Sequence, residues 1–108
     1  MKRIVNREGY WWSKYEPKLP KPISNLKPWK GKTEFLKRLR VIEKSTTKNH
    51  YKGFSRCRIC NKVNGTKEHV IENWNWPEGF LHYVEEHNVR PSIAFQEFIL
   101  QGKIFEKD

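Results

Sequence analysis

The chain of 108 residues predicts a small α+β domain. Three observations carry this expectation. Residues 33–44 have an apolar stripe at helical spacing, residues 54–72 have the composition of a β-hairpin, and two further helix patterns follow at about 77–87 and 92–101. A chain this short has a limited core. Its 14% aromatic content, with five Trp, supplies large buried surfaces and argues against wholesale disorder.

The order begins with an extended, basic, aromatic-rich arm at 1–31. Pro17, Pro20, Pro22 and Pro28 each fix φ and push the preceding residue toward extended geometry, so 16–29 is expected to be extended or polyproline-like. Tyr10, Trp11, Trp12, Tyr15 and Trp29 flank it, either packing the arm onto the domain or offering stacking platforms for bases. Residues 32–53 are read as an amphipathic helix and linker. Thr33 caps the helix, Phe35, Leu36, Leu39 and Ile42 form its buried stripe, and Ser45–His50 is a polar connection.

Residues 54–108 are read as a β-hairpin plus two helices, the whole chain making one compact domain. Asn64-Gly65 is the expected tight turn, Pro77 the first residue of the next helix, Asn88 its stop, Pro91-Ser92 the opening of the last helix and Gly102 its end.

Cys57-Arg58-Ile59-Cys60 contains the only two cysteines. A redox pair would need a helix starting between them, whereas Asn61-Lys62-Val63-Asn64-Gly65 is turn chemistry. Cys-x2-Cys followed by Asn-Lys instead has the form of a zinc knuckle, in which a tight turn aims two thiolates at one ion. Tetrahedral Zn2+ needs two more donors, and His82 and His87 on the following helix are the candidates. Residues five apart lie about 140° apart around a regular helix, so the pair requires a loosened last turn at His87. With a regular helix, Glu86 or His69 becomes the fourth ligand. Four protein ligands leave no open position, so the expected zinc is structural. Free buried thiols beside ordinary core histidines are the plainer reading.

Residues 53–100 resemble a group of small uncharacterised bacterial and phage proteins. The resemblance rests on Gly53-Phe54-Ser55-Arg56-Cys57-Arg58-Ile59-Cys60, Asn64-Gly65, Trp76-Pro77-Glu78-Gly79-Phe80-Leu81-His82-Tyr83-Val84 and His87-Asn88-Val89-Arg90-Pro91. It implies no activity. The broader pattern is similar to Cys2His2 zinc fingers, but 21 residues separate Cys60 from His82, against about twelve in a finger. Glu78, Glu85 and Glu86 on the helix would repel a phosphate backbone.

The net charge of +10 is concentrated in one half. Residues 1–53 hold 15 Lys and Arg against 4 Asp and Glu, and residues 54–108 hold 7 against 8. This asymmetry points to a polyanion partner, with nucleic acid favoured. Contact is expected through Lys14, Lys18, Lys21, Lys27, Lys30, Lys37, Arg38 and Arg40, extended by Arg56 and Arg58 beside the knuckle. A protein-interaction module is the second reading. Glu68-His69-Val70-Ile71 gives a weaker resemblance to His-Asn-His nucleases. No nucleophile triad, phosphate-cradling Gly loop or paired acidic motif is present. No apolar run reaches the roughly 20 residues of a membrane span. The opening residues lack an apolar segment, so an intracellular, cytoplasmic protein is expected.

Overall fold

The computed structural model describes residues 5–101 and has an α+β architecture of four strands and three helices. The elements run β1 (Asn6–Arg7), α1 (Lys32–Glu43), β2 (Thr47–Arg56), β3 (Val63–Ile71), β4 (Trp74–Pro77), α2 (Phe80–His87) and α3 (Ile93–Gln101). The sheet order is β1-β4-β3-β2, antiparallel except for the parallel β1–β4 pair, so β2 is an outer edge. The first residues of the expected arm and the helix end expected at Gly102 lie outside the described residues. Among the described residues, no helix is long and apolar enough to cross a membrane.

The period of two in β3 and β4 decides what each face meets. His69 pairs with Trp76 and Ile71 with Trp74, which places these four side chains on the helix-covered face. Phe35, Leu36, Leu39 and Ile42 of α1 are buried there with Phe80 and Val84 of α2 and Phe95 and Ile99 of α3. Phe95 is the hub: its ring centroid lies 5.0 Å from Trp74, 5.1 Å from Trp76, 5.4 Å from Phe80 and 6.0 Å from Phe35, all tilted or edge-to-face.

The N-terminal segment lies on the domain. Asn6 and Arg7 pair with Trp74 and Asn75, and the Glu8 carboxylate accepts hydrogen bonds from the Ser92 amide and hydroxyl at 2.8 and 2.9 Å. Ser92 in turn accepts from the Phe95 amide, so a residue of the arm steadies the start of α3. Further on, Asn25 and Asn88 exchange side-chain-to-carbonyl bonds at 3.0 Å and the Asn25 amide donates to His87, tying the Pro-rich stretch to the end of α2. Trp11 packs edge-on to Tyr83 and Trp29 to Phe35, the packing role for these two aromatics.

Five expectations need correction. Residues 16–29 are not extended throughout: the chain turns between 13 and 19, where the Glu16 and Leu19 amides donate to the Ser13 and Glu16 carbonyls at 3.1 and 3.3 Å, and doubles back so that the Trp12 amide donates to the Pro20 carbonyl at 2.8 Å. Ser45–His50 is not all linker: β2 starts at Thr47 and stays solvent-exposed along almost its whole length, so no apolar alternation announced it. Asn64-Gly65 is not the hairpin turn, because residues 57–62 reverse the chain and Asn64 and Gly65 lie within β3. Gly65 is needed for close approach: a Cβ there would fall 2.9 Å from Glu78 Cβ and 3.1 Å from the Gly79 nitrogen. Pro77 ends β4 rather than opening α2, since the extended chain continues until Glu78 donates to Lys67 and the helix begins at Phe80. Finally, α1 is capped by Gly31 at φ 93°, with Lys32 already helical, and Thr33 is not the cap.

Gly65→Ala is therefore expected to lower stability by about 1–3 kcal/mol through overpacking. Gly53→Ala, where a Cβ meets nothing within 4 Å, stays within about 0.5 kcal/mol of the parent. Urea unfolding of the two variants checks this.

Candidate metal centre and basic hairpin

The loop joining β2 to β3 is a knuckle. The Cys57 amide donates to the Lys62 carbonyl at 2.8 Å and the Asn61 amide to the Cys57 carbonyl at 2.9 Å. Asn61 takes a left-handed φ of 63°, a conformation its short polar side chain tolerates. This turn points the amides of Ile59 and Cys60 at the Cys57 sulfur, each at 3.4 Å.

Across from the knuckle, α2 supplies two imidazoles. The widened end of the helix resolves the 140° difficulty. The amide of Asn88, in left-handed geometry, donates to the Tyr83 carbonyl five residues back, and the Val89 amide reaches the same carbonyl. A turn of that width suits side chains five apart, and the His82 and His87 rings lie 5.1 Å apart.

Donor atoms of Cys57, Cys60, His82 and His87 all lie within 4.8 Å of one another. Cys60 Sγ is 3.3 Å from His82 Nε2, against donor separations of about 3.3–3.8 Å around tetrahedral zinc. His69 and Glu86 are not members of the group. These four residues are thus placed to hold a metal ion. Two features of the donors fit that role. His87 Nε2 is buried with no hydrogen-bond partner among the described residues, leaving a lone pair for a ligand. Burial, and then the neighbouring His87, pulls the His82 pKa below its ordinary value and favours the neutral, metal-binding imidazole. Tyr83 sits over the knuckle, its oxygen accepting from the Arg58 amide at 2.6 Å, and burial pushes its pKa up to about 12. Trp11, Cys57, Tyr83 and Val89 form a small apolar cluster behind the site.

The expected basic residues divide into groups. Lys14, Lys18, Lys21, Lys27, Lys30 and Lys37 are exposed, with Lys14 over Tyr15 and Lys21 over Trp12. Arg40 is engaged by the Glu85 carboxylate and Arg38 is half-buried. Arg58 Nε donates to the Trp12 carbonyl at 2.8 Å and Arg56 to the Asn61 carbonyl at 3.0 Å, so both brace the knuckle while facing the arm. The reading of the charge by halves missed a further feature. From Lys44 to Lys67 the chain holds seven Lys and Arg and no Asp or Glu. That span is the exposed strand β2, the knuckle and the start of β3, and it also presents Tyr51 and Phe54.

His69, the basis of the nuclease resemblance, is 4% exposed. Its Nδ1 is 2.6 Å from Thr46 Oγ1, its Nε2 is 3.5 Å from Glu43 Oε2, and its ring stacks on Trp76, whose indole N–H donates to the same carboxylate at 2.9 Å. A side chain so enclosed does not meet a scissile phosphate. Burial pulls the His69 pKa down to about 4 and pushes Glu43 up to about 7, so both favour their neutral forms. No protein-family model, curated protein or solved structure matches the chain.

The two shifts oppose each other in their effect on folding. The His69 contribution is present above its unfolded value of 6.5 and is lost as pH falls through about 4. The Glu43 contribution is present below its unfolded value of 4.5 and is lost as pH rises through about 7. Between 4.5 and 6.5 they cancel. In Glu43→Gln only the histidine remains, and the variant is expected to lose up to about 1.4 kcal/mol per pH unit relative to the parent on acidification below 6.5. Paired urea titrations at each pH read this difference.

Proposed function

We propose that this is a non-catalytic nucleic-acid-binding domain in which Cys57, Cys60, His82 and His87 hold a structural zinc ion. The observation that carries the binding reading is the acid-free stretch from Lys44 to Lys67, whose first strand, β2, is exposed almost throughout and carries aromatic side chains among its cations. A basic ribbon of this kind follows a phosphate backbone by charge and displaces counterions from it. The exposed lysines of the N-terminal segment extend the surface, and the Arg58–Trp12 bond joins the two parts. Zinc suits the centre because two thiolates and two imidazoles match its preferred donors and fill a tetrahedral shell. The ion would fasten the turn of the ribbon to α2.

Affinity for a short oligonucleotide is expected to fall steeply with salt. Lys52→Glu flattens the log–log salt slope by about one while leaving the unfolding midpoint nearly unchanged. Fluorescence anisotropy at several salt concentrations provides the check, and a slope near zero would sink the nucleic-acid reading. It would turn attention to a protein partner, for which Ile23 and Leu26, 75% and fully exposed on the Pro-rich stretch, are the natural contacts.

The purified protein is expected to hold one zinc per chain by elemental analysis. Chelation, or His82→Ala, lowers the thermal midpoint by ten degrees or more, since loss of a structural metal removes folding free energy directly. An unchanged midpoint on chelation would rule out the structural role.

A further inference from the structure

A groove of about 300 Å³ lies between the N-terminal segment, the knuckle and the sheet face opposite the helices. Trp11 and Tyr51 supply aromatic surface and Arg56 and Arg58 supply cations, while Arg7 lies over the Tyr10 ring, 4.0 Å from its centroid, on the side where the Tyr10 hydroxyl donates to Glu68. We infer that this groove receives a single nucleotide of a single strand, its base held against Trp11 and Tyr51 and its phosphate beside Arg56 and Arg58. The inference rests on the nucleic-acid reading and specifies which form of nucleic acid the domain prefers.

Size, lining and charge support it together. The volume is at the lower end of the range for small-molecule sites, enough for one nucleotide unit. Flat π surfaces and guanidinium groups in one groove match a ligand that is a planar heterocycle at one end and an anion at the other. The lining also fixes the ligand's direction. Glu68, which accepts from the Tyr10 hydroxyl and from Asn49, and Glu16 put negative charge in the groove. A phosphate is repelled from them, whereas the amino and imino N–H groups of a base find acceptors there. Arg56 at the end of β2 and Arg58 on the knuckle continue the cationic ribbon, so the phosphate belongs on that side. Ser55 and Asn64 offer polar groups held in place, the serine hydroxyl donating to Asn64 Oδ1 at 2.7 Å.

A base paired within a duplex cannot enter such a groove without being extruded, and a single strand presents it directly. The test compares a labelled single-stranded 12-mer with the matching duplex by anisotropy at fixed salt, using the full chain with zinc. The parent is expected to prefer the single strand about tenfold or more. Tyr51→Ala loses about tenfold on the single strand and little on the duplex, and Tyr51→Phe restores the preference. Tyr51 is 38% exposed on β2, so its removal spares the core. In parallel, adenosine monophosphate titrated into the labelled protein should shift the NMR signals of Trp11, Ser55 and Asn64. Equal binding of both forms, or equal losses on both in Tyr51→Ala, overturns the groove assignment while leaving the ribbon intact. If neither form binds at any salt, the wider reading falls with it.

Discussion

The β2–β3 hairpin has one turn, residues 57–62, and that turn depends on whatever holds Cys57 and Cys60 against His82 and His87. Three parts of the chain meet there. The ribbon ends in the knuckle, α2 brings its imidazoles and Tyr83, and the N-terminal segment closes the back with Trp11 and bonds Arg58 through the Trp12 carbonyl. The aromatic core around Phe95 lies on the other side of α2 and holds the helices to β4, but it does not reach β2. The fold therefore has two centres joined by one short helix. Phe80 and Val84 serve the core, while His82, Tyr83 and His87 serve the knuckle.

This division explains what the sequence made legible. The helices follow from apolar spacing because one face of each is buried, and the four candidate ligands follow from donor chemistry and spacing. The closing turn of α2 was legible as a requirement, since His82 and His87 demand a wider turn than a regular helix gives. The strand β2 was not legible. With nearly every side chain in solvent, Thr47–Arg56 needs no apolar alternation, and its polar, basic residues resemble a linker. Asn64-Gly65 misled for a related reason: the pair is strong turn chemistry, but packing against Glu78-Gly79 also requires a residue without a Cβ. The buried Thr46–His69–Glu43 group was out of reach because its members meet only through the register of β3 with its neighbours.

The distribution of charge sharpened in the same way. Counting by halves put the basic surface in the first 53 residues, whereas the fold separates those cations. Arg40 is engaged by Glu85, and Arg58, which the count left in the neutral half, is bonded to the N-terminal segment at the Trp12 carbonyl. Acidic groups nevertheless border the basic stretch: Glu78 pairs with Lys67 and, with Glu85 and Glu86, lines a hollow beside Lys62, and Glu68 stands on β3 itself.

The exposed outer edge of β2 has a second consequence, for solubility. Among the described residues no strand pairs with the outer edge of β2, so its amides and carbonyls there are ones on which another copy could add its own edge, the route by which sheets aggregate. Lys48, Lys52 and Arg56 along that edge make such pairing a meeting of like charges. The cations to which the proposed function assigns phosphate contact would thus also disfavour edge-to-edge pairing of copies. A variant that replaced them with threonine or valine would trade lost binding for an adhesive edge and so confuse two effects. Charge reversal keeps the edge repulsive and isolates the one being measured.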